Sequence, residues 1–394
     1  MMARMMNTFS FETTPKIVCE QGGAARLAEH VVSCGQAEAK GRAFIVTDPG
    51  LIKAGVLATA LKSLDDAGVA YTLFSEVQAD PPEAVVMQAV QAARAAKVSI
   101  VIGIGGGSSL DTAKLVALLS NSAQTLPEIY GVGLAKGKRL PLIQLPTTAG
   151  TGSEVTPISI VTTPSQEKKG VVSPLLYPDI ALLDSRLTLG LPPAITAMTG
   201  VDAMVHAIEA YTGRLKKNLL SDTFALKALQ LLYANIDRAV THGTEDADAR
   251  EQMLLGSLMA GMAFANSPVG AVHALAYPLG GHYHLPHGLT NSLMLVATLR
   301  FNLESAREHY AQLGRAFLRS DAGSDDAVMA ERFIEAIAAL VARMPYAQTL
   351  RAAGVPQADL PMLARDAMKV QRLLVNNPRE VSLDDALGLY KSAY

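Results

Sequence analysis

The chain has 394 residues, a mass of 41.5 kDa and a formal net charge of −2. Its length exceeds one ordinary domain of about 100–200 residues, so two domains are expected. With 34 Lys+Arg against 36 Asp+Glu and no basic block, nucleic acid and anionic membranes are not expected partners.

Hydrophobic residues make up 49% and charged ones 18%, which points to a globular chain rather than a disordered one. Trp is absent and aromatics are 5%, so the core must be aliphatic. Cys19 and Cys34 fit neither a disulfide framework nor a zinc cluster, and a reducing compartment is expected. No run approaches 18 apolar residues, and the first residues lack the apolar core of a signal peptide. A soluble, cytoplasmic protein is therefore expected.

In chain order, 43–47 reads as a strand, 51–67 as a helix and 70–74 as a second strand. A helix at 81–96, a buried strand at 98–103, a helix at 110–119 and strands at 140–145 and 180–183 follow. Val/Ile-rich strands separated by helices predict a mostly parallel α/β sheet covered on both faces. After Pro192-Pro193 the strand pattern gives way to helical periodicity at 195–211, 221–240, 247–264, 296–319 and 327–343. Proline disfavours helix immediately before it, which sets the expected domains at 1–191 (α/β) and 192–394 (all-helical). Residues 243–248 and 320–326 read as exposed polar loops.

In the first half, the strand at 98–103 runs through Gly103-Ile-Gly105-Gly106-Gly107-Ser108 straight into a helix. Glycines let a phosphate approach without a Cβ in the way, and the helix start offers free N–H groups and a positive dipole end. That suits a pyrophosphate. The third glycine of G-x-G-x-x-G would fall on Ser108, and no Gly-Lys-Ser/Thr follows, so neither standard nucleotide motif is present. A second loop, Pro146-Thr147-Thr148-Ala-Gly-Thr-Gly-Ser153-Glu154, offers further donors. Asp48, at the end of the first strand, would favour NAD over NADP by accepting from ribose hydroxyls; such an aspartate also serves as a helix cap.

Four histidines, His273, His282, His284 and His287, crowd one stretch, and Asp202 and His206 stand four apart on a helix. That spacing puts both side chains on one face, where they can share a metal ion. Asp202, His206, His273 and His287 together make one carboxylate and three imidazoles, a divalent transition-metal set with room for substrate. Iron and zinc are not separated by these ligand types.

The glycine loop, the Pro-Thr-Thr-Ala-Gly-Thr-Gly-Ser-Glu segment, Gly200-Val-Asp202-Ala-Met-Val-His206-Ala-Ile-Glu209-Ala-Tyr211 and the Val272-His273…Pro286-His287-Gly288 stretch occur in order. Together they resemble the iron-containing (group III) alcohol dehydrogenases over about residues 10–390. The resemblance implies an N-terminal dinucleotide-binding domain and a C-terminal helical domain, the architecture shared with dehydroquinate synthase-like proteins. It implies Asp202, His206, His273 and His287 as ligands to Fe2+ (alternatively Zn2+). It further implies NAD (alternatively NADP) contacts from Asp48, Gly105, Gly106, Gly107, Ser108, Asp111, Thr147, Thr148, Ser153, Val155 and Lys168. The implied reaction is reversible hydride transfer with a small or medium alcohol, aldehyde or ketone, in a homodimer or larger homo-oligomer.

One departure stands out. Many members of this family carry histidine where this chain has Tyr277, and tyrosine, with an ordinary pKa near 10, is a poorer proton relay. Tyr277 and His282 are the candidate catalytic residues, with His284 a further candidate for relaying protons or meeting an anionic substrate. Tyr277 also resembles the hydroxyacid-oxoacid transhydrogenase branch. Maleylacetate reductases generally lack the metal, so the retained ligand set speaks against them, and against a non-catalytic binding protein.

Overall fold

The computed structural model describes residues 8–34, 41–165, 167–318 and 325–394. The expected loop at 320–326 lies largely outside them. Short β-branched runs build a six-stranded sheet from β1 (Lys16–Cys19), β2 (Ala43–Val46), β3 (Tyr71–Phe74), β4 (Ile100–Gly105), β6 (Leu142–Pro146) and β9 (Ile180–Leu183). The strands are all parallel in the order β1-β9-β6-β4-β2-β3. Parallel strands need crossovers whose helices cover both faces, and the burial shows it. Phe44, Val46, Val101 and Leu142 face one apolar cluster, while Ala43, Ile45, Ile100, Ile102 and Ile143 face another.

Sequence pattern does not disclose the small second sheet of β5 (Gly131–Val132), β7 (Ile158–Thr162) and β8 (Lys168–Val172). There β7 and β8 pair antiparallel. Lys168-Lys169-Gly170 opens β8 with residues that carry little strand preference, so pairing with β7 decides its conformation.

Beyond Pro192 the chain is helical: Pro193–Thr212, Leu219–Thr241, Ala247–Asn266, Ala271–Tyr283, His287–Leu318 and Asp326–Ala342, followed by shorter helices. The helix Ala271–Tyr283 contains Pro278, which obscures its periodicity. The helix expected from 296 begins at His287 instead.

The chain forms two compact units. One comprises residues 13–196 and 235–261; the other comprises 197–234, 262–394 and the described residues before Thr13. Neither unit is contiguous in the chain: the run 235–261 groups with the sheet-bearing residues, and its apolar positions Ala239, Met253 and Leu254 are buried. No single helix among the described residues is long and apolar enough to cross a membrane.

Candidate metal centre and dinucleotide site

Asp202 and His206 project from the apolar helix Pro193–Thr212, and both are buried. His273 comes from the first turn of Ala271–Tyr283, and His287 opens the helix His287–Leu318. One ligand atom from each of these four residues lies within 4.8 Å of the others. The helices can approach because residue 288 is glycine: a Cβ there would stand 2.4 Å from the Met198 carbonyl oxygen.

Asn291, one turn after His287, shows what this cluster is built to hold. Its Nδ2 lies 2.6 Å from Asp202 Oδ1, 3.1 Å from His273 Nε2 and 3.2 Å from His287 Nε2. Its buried Oδ1 has no hydrogen-bond partner. An amide has only two N–H donors for these three acceptors, and its own carbonyl is left unpaired. A cation suits the same donor set without that deficit, so one carboxylate and three imidazoles fit a divalent transition metal.

Glu209 sits one turn beyond His206 and was not singled out from the sequence. Its Oε2 lies 2.6 Å from His273 Nδ1, and its Oε1 accepts from Val272 N at 2.7 Å. The carboxylate assigns the Nδ1–H tautomer, leaving the Nε2 lone pair for the cluster. Burial pushes the Glu209 carboxyl up to about 7 against the backbone donors of Gly270 and Val272. Burial acts upward on Asp202 too, but His206, His287 and His273 outweigh it and hold that carboxyl below its ordinary range. Burial, with the neighbouring imidazoles, drives His273 well below its ordinary value, which keeps the ring neutral as metal ligation requires. His206 is wedged between Phe264 and His273, with ring centroids 4.3 and 4.7 Å away.

Tyr277, one turn beyond His273, places its ring 6.2 Å from that of His287. Burial raises its pKa, so the phenol stays protonated. His282 does not join this group. Nine residues from His273 amount to two and a half helical turns, so it points from the opposite face, where Nε2 meets Asp366 Oδ2 at 2.8 Å. His284 is exposed and ends the helix in the left-handed conformation. Neither His282 nor His284 is among the four donors that converge.

In the sheet unit, β2 and β4 are neighbours, with Val46 opposite Gly103, and β4 and β6 pair Gly105 with Pro146. The chain leaves β2 for the edge strand β3 and returns on the other side of β2, so the order reverses between β2 and β4. That switch point is where open parallel sheets bind ligands, beyond the C-terminal strand ends. Asp48, the glycine loop and the Thr147–Thr148 loop all lie there.

Gly105 has φ 156°, and a Cβ on it would meet Ser109 Cβ at 2.6 Å. Gly106 caps the helix Gly107–Leu119 without a side chain, leaving the N–H groups of its first turn, Ser108 included, turned to the strand ends. A Cβ on Gly107 would strike Thr151 Cγ2 at 2.7 Å, and one on Gly106 would touch Thr148 at 3.5 Å, so the two loops abut. Asp48 accepts from Leu51 N at 3.1 Å and caps the next helix, the alternative role foreseen for it. Lys168 Nζ lies 2.7 Å from Asp80 Oδ1.

Asp111 and Ser153, two of the expected dinucleotide contacts, also form an internal clamp. Asp111 Oδ1 accepts from Ser153 Oγ at 2.6 Å and its Oδ2 from Ile160 N at 2.9 Å. Val155 is fully buried. Behind them lies Lys114, 0% exposed, donating to Ile158 O at 2.7 Å and Thr156 Oγ1 at 3.2 Å, with Asp111 Oδ1 at 3.5 Å. Burial lowers the Lys114 ammonium pKa, with Asp111 and Glu154 opposing it. This lysine fastens the glycine-loop helix to the segment after the second loop.

A fold of this topology with such a donor cluster defines a metal-dependent, dinucleotide-linked oxidoreductase, and comparison with known proteins gives the family. Residues 14–185 match the model "Iron-containing alcohol dehydrogenase" and residues 196–394 match "Fe-containing alcohol dehydrogenase family, C-terminal". The sulfoacetaldehyde reductase of Bilophila wadsworthia is 38% identical over 390 residues, 98% of this chain and 99% of that protein. Among solved structures, a 1,3-propanediol oxidoreductase superposes with a TM-score of 0.93 at 31% identity, covering 98% of this chain and all of the other. The sulfoacetaldehyde reductase of Bifidobacterium kashiwanohense, solved with NAD+, gives 0.87 at 27% identity, covering 98% of this chain and 99% of that one. The chain belongs to the iron-containing alcohol dehydrogenase family. It is an NAD-linked, metal-dependent alcohol dehydrogenase and aldehyde reductase.

Proposed function

We propose that Asp202, His206, His273 and His287 hold the divalent metal, iron in preference to zinc. In this reading NAD(H) rests on Asp48, Gly105–Ser108, Thr147 and Thr148. Asp111, Ser153, Val155 and Lys168 hold that surface in shape. The reaction interconverts a small alcohol and its aldehyde or ketone. The observation that carries the reading is the four-donor cluster with Asn291 Nδ2 among it. The family groups would supply Lewis acidity at the substrate oxygen and a hydride acceptor or donor.

The chain's own residues do the rest. Glu209 keeps His273 in the ligating tautomer, and Phe264 fixes the His206 ring by stacking. Tyr277, protonated at neutral pH, is the hydrogen-bond donor placed beside His287. The glycine-loop amides supply the attraction for a pyrophosphate that a net charge of −2 does not. A cytoplasmic homo-oligomer is the setting proposed from the family resemblance.

Metal analysis of the purified protein with an NAD(H)-linked screen of alcohols and aldehydes tests this. Asp202→Ala and His273→Ala are expected to lose bound metal and turnover together while keeping the helical circular dichroism. Full activity in chelated, metal-free protein would overturn the metal assignment. Turnover that requires an oxoacid acceptor and no free NAD would instead identify a transhydrogenase.

A further inference from the structure

The four donors come from three helices, and one distant dipeptide is bonded to all three or to the turn beside them. Asn376 and Asn377 follow the short helix Gln371–Leu374. The Asn376 carbonyl accepts from Arg214 N at 2.9 Å, just past the end of the helix Pro193–Thr212 that carries Asp202 and His206. Its Nδ2 donates to Val269 O at 3.0 Å, just before the helix that carries His273. The Asn377 amide pairs with that of Asn302, on the helix that begins at His287, with Nδ2–Oδ1 distances of 2.8 and 2.9 Å. Asn302, Asn376 and Asn377 are 4%, 4% and 2% exposed.

The contacts continue inward to the donors. A Cβ on Gly270 would stand 3.3 Å from Glu209 Oε1 and 3.4 Å from Asn377 Cα. The asparagine turn therefore closes on the same residue as the carboxylate that holds His273 Nδ1. Two facing amides exchange two hydrogen bonds, each side chain giving one and taking one. The remaining N–H groups are also used: Asn377 Nδ2 donates to Arg379 O at 2.6 Å and Asn376 Nδ2 to Arg372 O at 3.1 Å. Two leucines would fill the Asn302–Asn377 volume without the desolvation cost of buried amides, so packing alone does not call for this pair. A satisfied polar pair fixes one arrangement where apolar contacts tolerate several.

We propose that Asn376 and Asn377 are positioning residues of the metal centre. Bonded to all three ligand-bearing segments, they fix the spacing of the four donors and thereby the affinity and ligand field of the bound ion. The inference rests on the metal assignment above and extends it to the C-terminal segment.

The test titrates full-length, metal-stripped protein with Co2+ alone, read by calorimetry and by the visible ligand-field bands. It compares wild type, Asn302→Leu, Asn377→Leu and the double variant. Each single variant leaves a buried amide unpaired, whereas the double variant replaces both partners by apolar groups of similar size. Tm should fall in the single variants and largely recover in the double. Co2+ affinity should fall about tenfold or more in Asn377→Leu and stay low in the double variant, with shifted bands in both. A clamp that served stability alone would let affinity and bands return with Tm in the double variant, and that result overturns the proposal. Wild-type affinity and bands in every variant overturn it as well. The double variant decides by itself if a single one fails to fold. Wild type that takes up no Co2+ would overturn the metal assignment and this inference with it, whereas the preceding outcomes overturn this inference alone.

Discussion

Glu209 illustrates how one residue can prepare the proposed metal centre without belonging to its donor set. Its 2.6 Å contact with His273 Nδ1 sets which ring nitrogen is free. Glu209→Gln keeps the shape and removes the charge, so metal affinity should loosen about tenfold or more, read by titration of the apoprotein. Unaltered affinity would make Glu209 a packing residue only. A second buried carboxyl, Glu154, is pushed up to about 7 by burial, against its own backbone donor and the opposing charge of Lys114. Its ordinary value is about 4.3, so the folded protein holds this proton more tightly than the unfolded chain does. The associated stability is complete below about pH 4.3 and is lost as pH rises through 7. Wild type should therefore lose Tm relative to Glu154→Gln between pH 5 and 8; parallel Tm curves would refute the assignment. At this scale the sequence was partly legible. Asp202, His206 and Glu209 share one helix face by spacing alone, whereas nothing in the spacing reveals that Lys114 and Asn291 lie beside these sites.

At the scale of elements, the two dinucleotide loops act as one surface because β4 and β6 are adjacent parallel strands. Gly107 is where they touch, since a Cβ would stand 2.7 Å from Thr151 Cγ2. Gly107→Ala should weaken NADH binding about tenfold or more while leaving metal content at wild-type level, measured by fluorescence titration and metal analysis. Equal loss of metal would mean that the substitution disturbs the whole fold instead. The glycine run and its strand-to-helix setting were readable, because a buried β-branched strand followed by three glycines has few other uses. The small sheet was not, because β7 and β8 owe their conformation to each other. The histidine cluster misled in one respect: proximity in sequence grouped His282 with His273, but helical geometry turns them to opposite sides.

For the whole molecule, the four proposed metal ligands come from three helices and span 85 residues, so a metal bound there would be a tertiary crosslink of the helical unit. A ligand at 100 times its Kd adds about 2.7 kcal/mol to stability. Removing the metal with a chelator should lower Tm by about 3 °C in scanning calorimetry, with helical circular dichroism at 25 °C retained. An unchanged Tm would separate the cluster from stability altogether.

The amino-acid sequence alone determined the donor types, the glycine loop, the alternating strands and helices and hence the class of chemistry, because those depend on local spacing and composition. Only the tertiary structure decided which histidines converge, with which unit the run 235–261 groups, that Asp111 and Ser153 clamp each other, and that Asn291 stands among the four donors. These are contacts between residues far apart in the chain, and they exist only when helices and strands bury their apolar faces together.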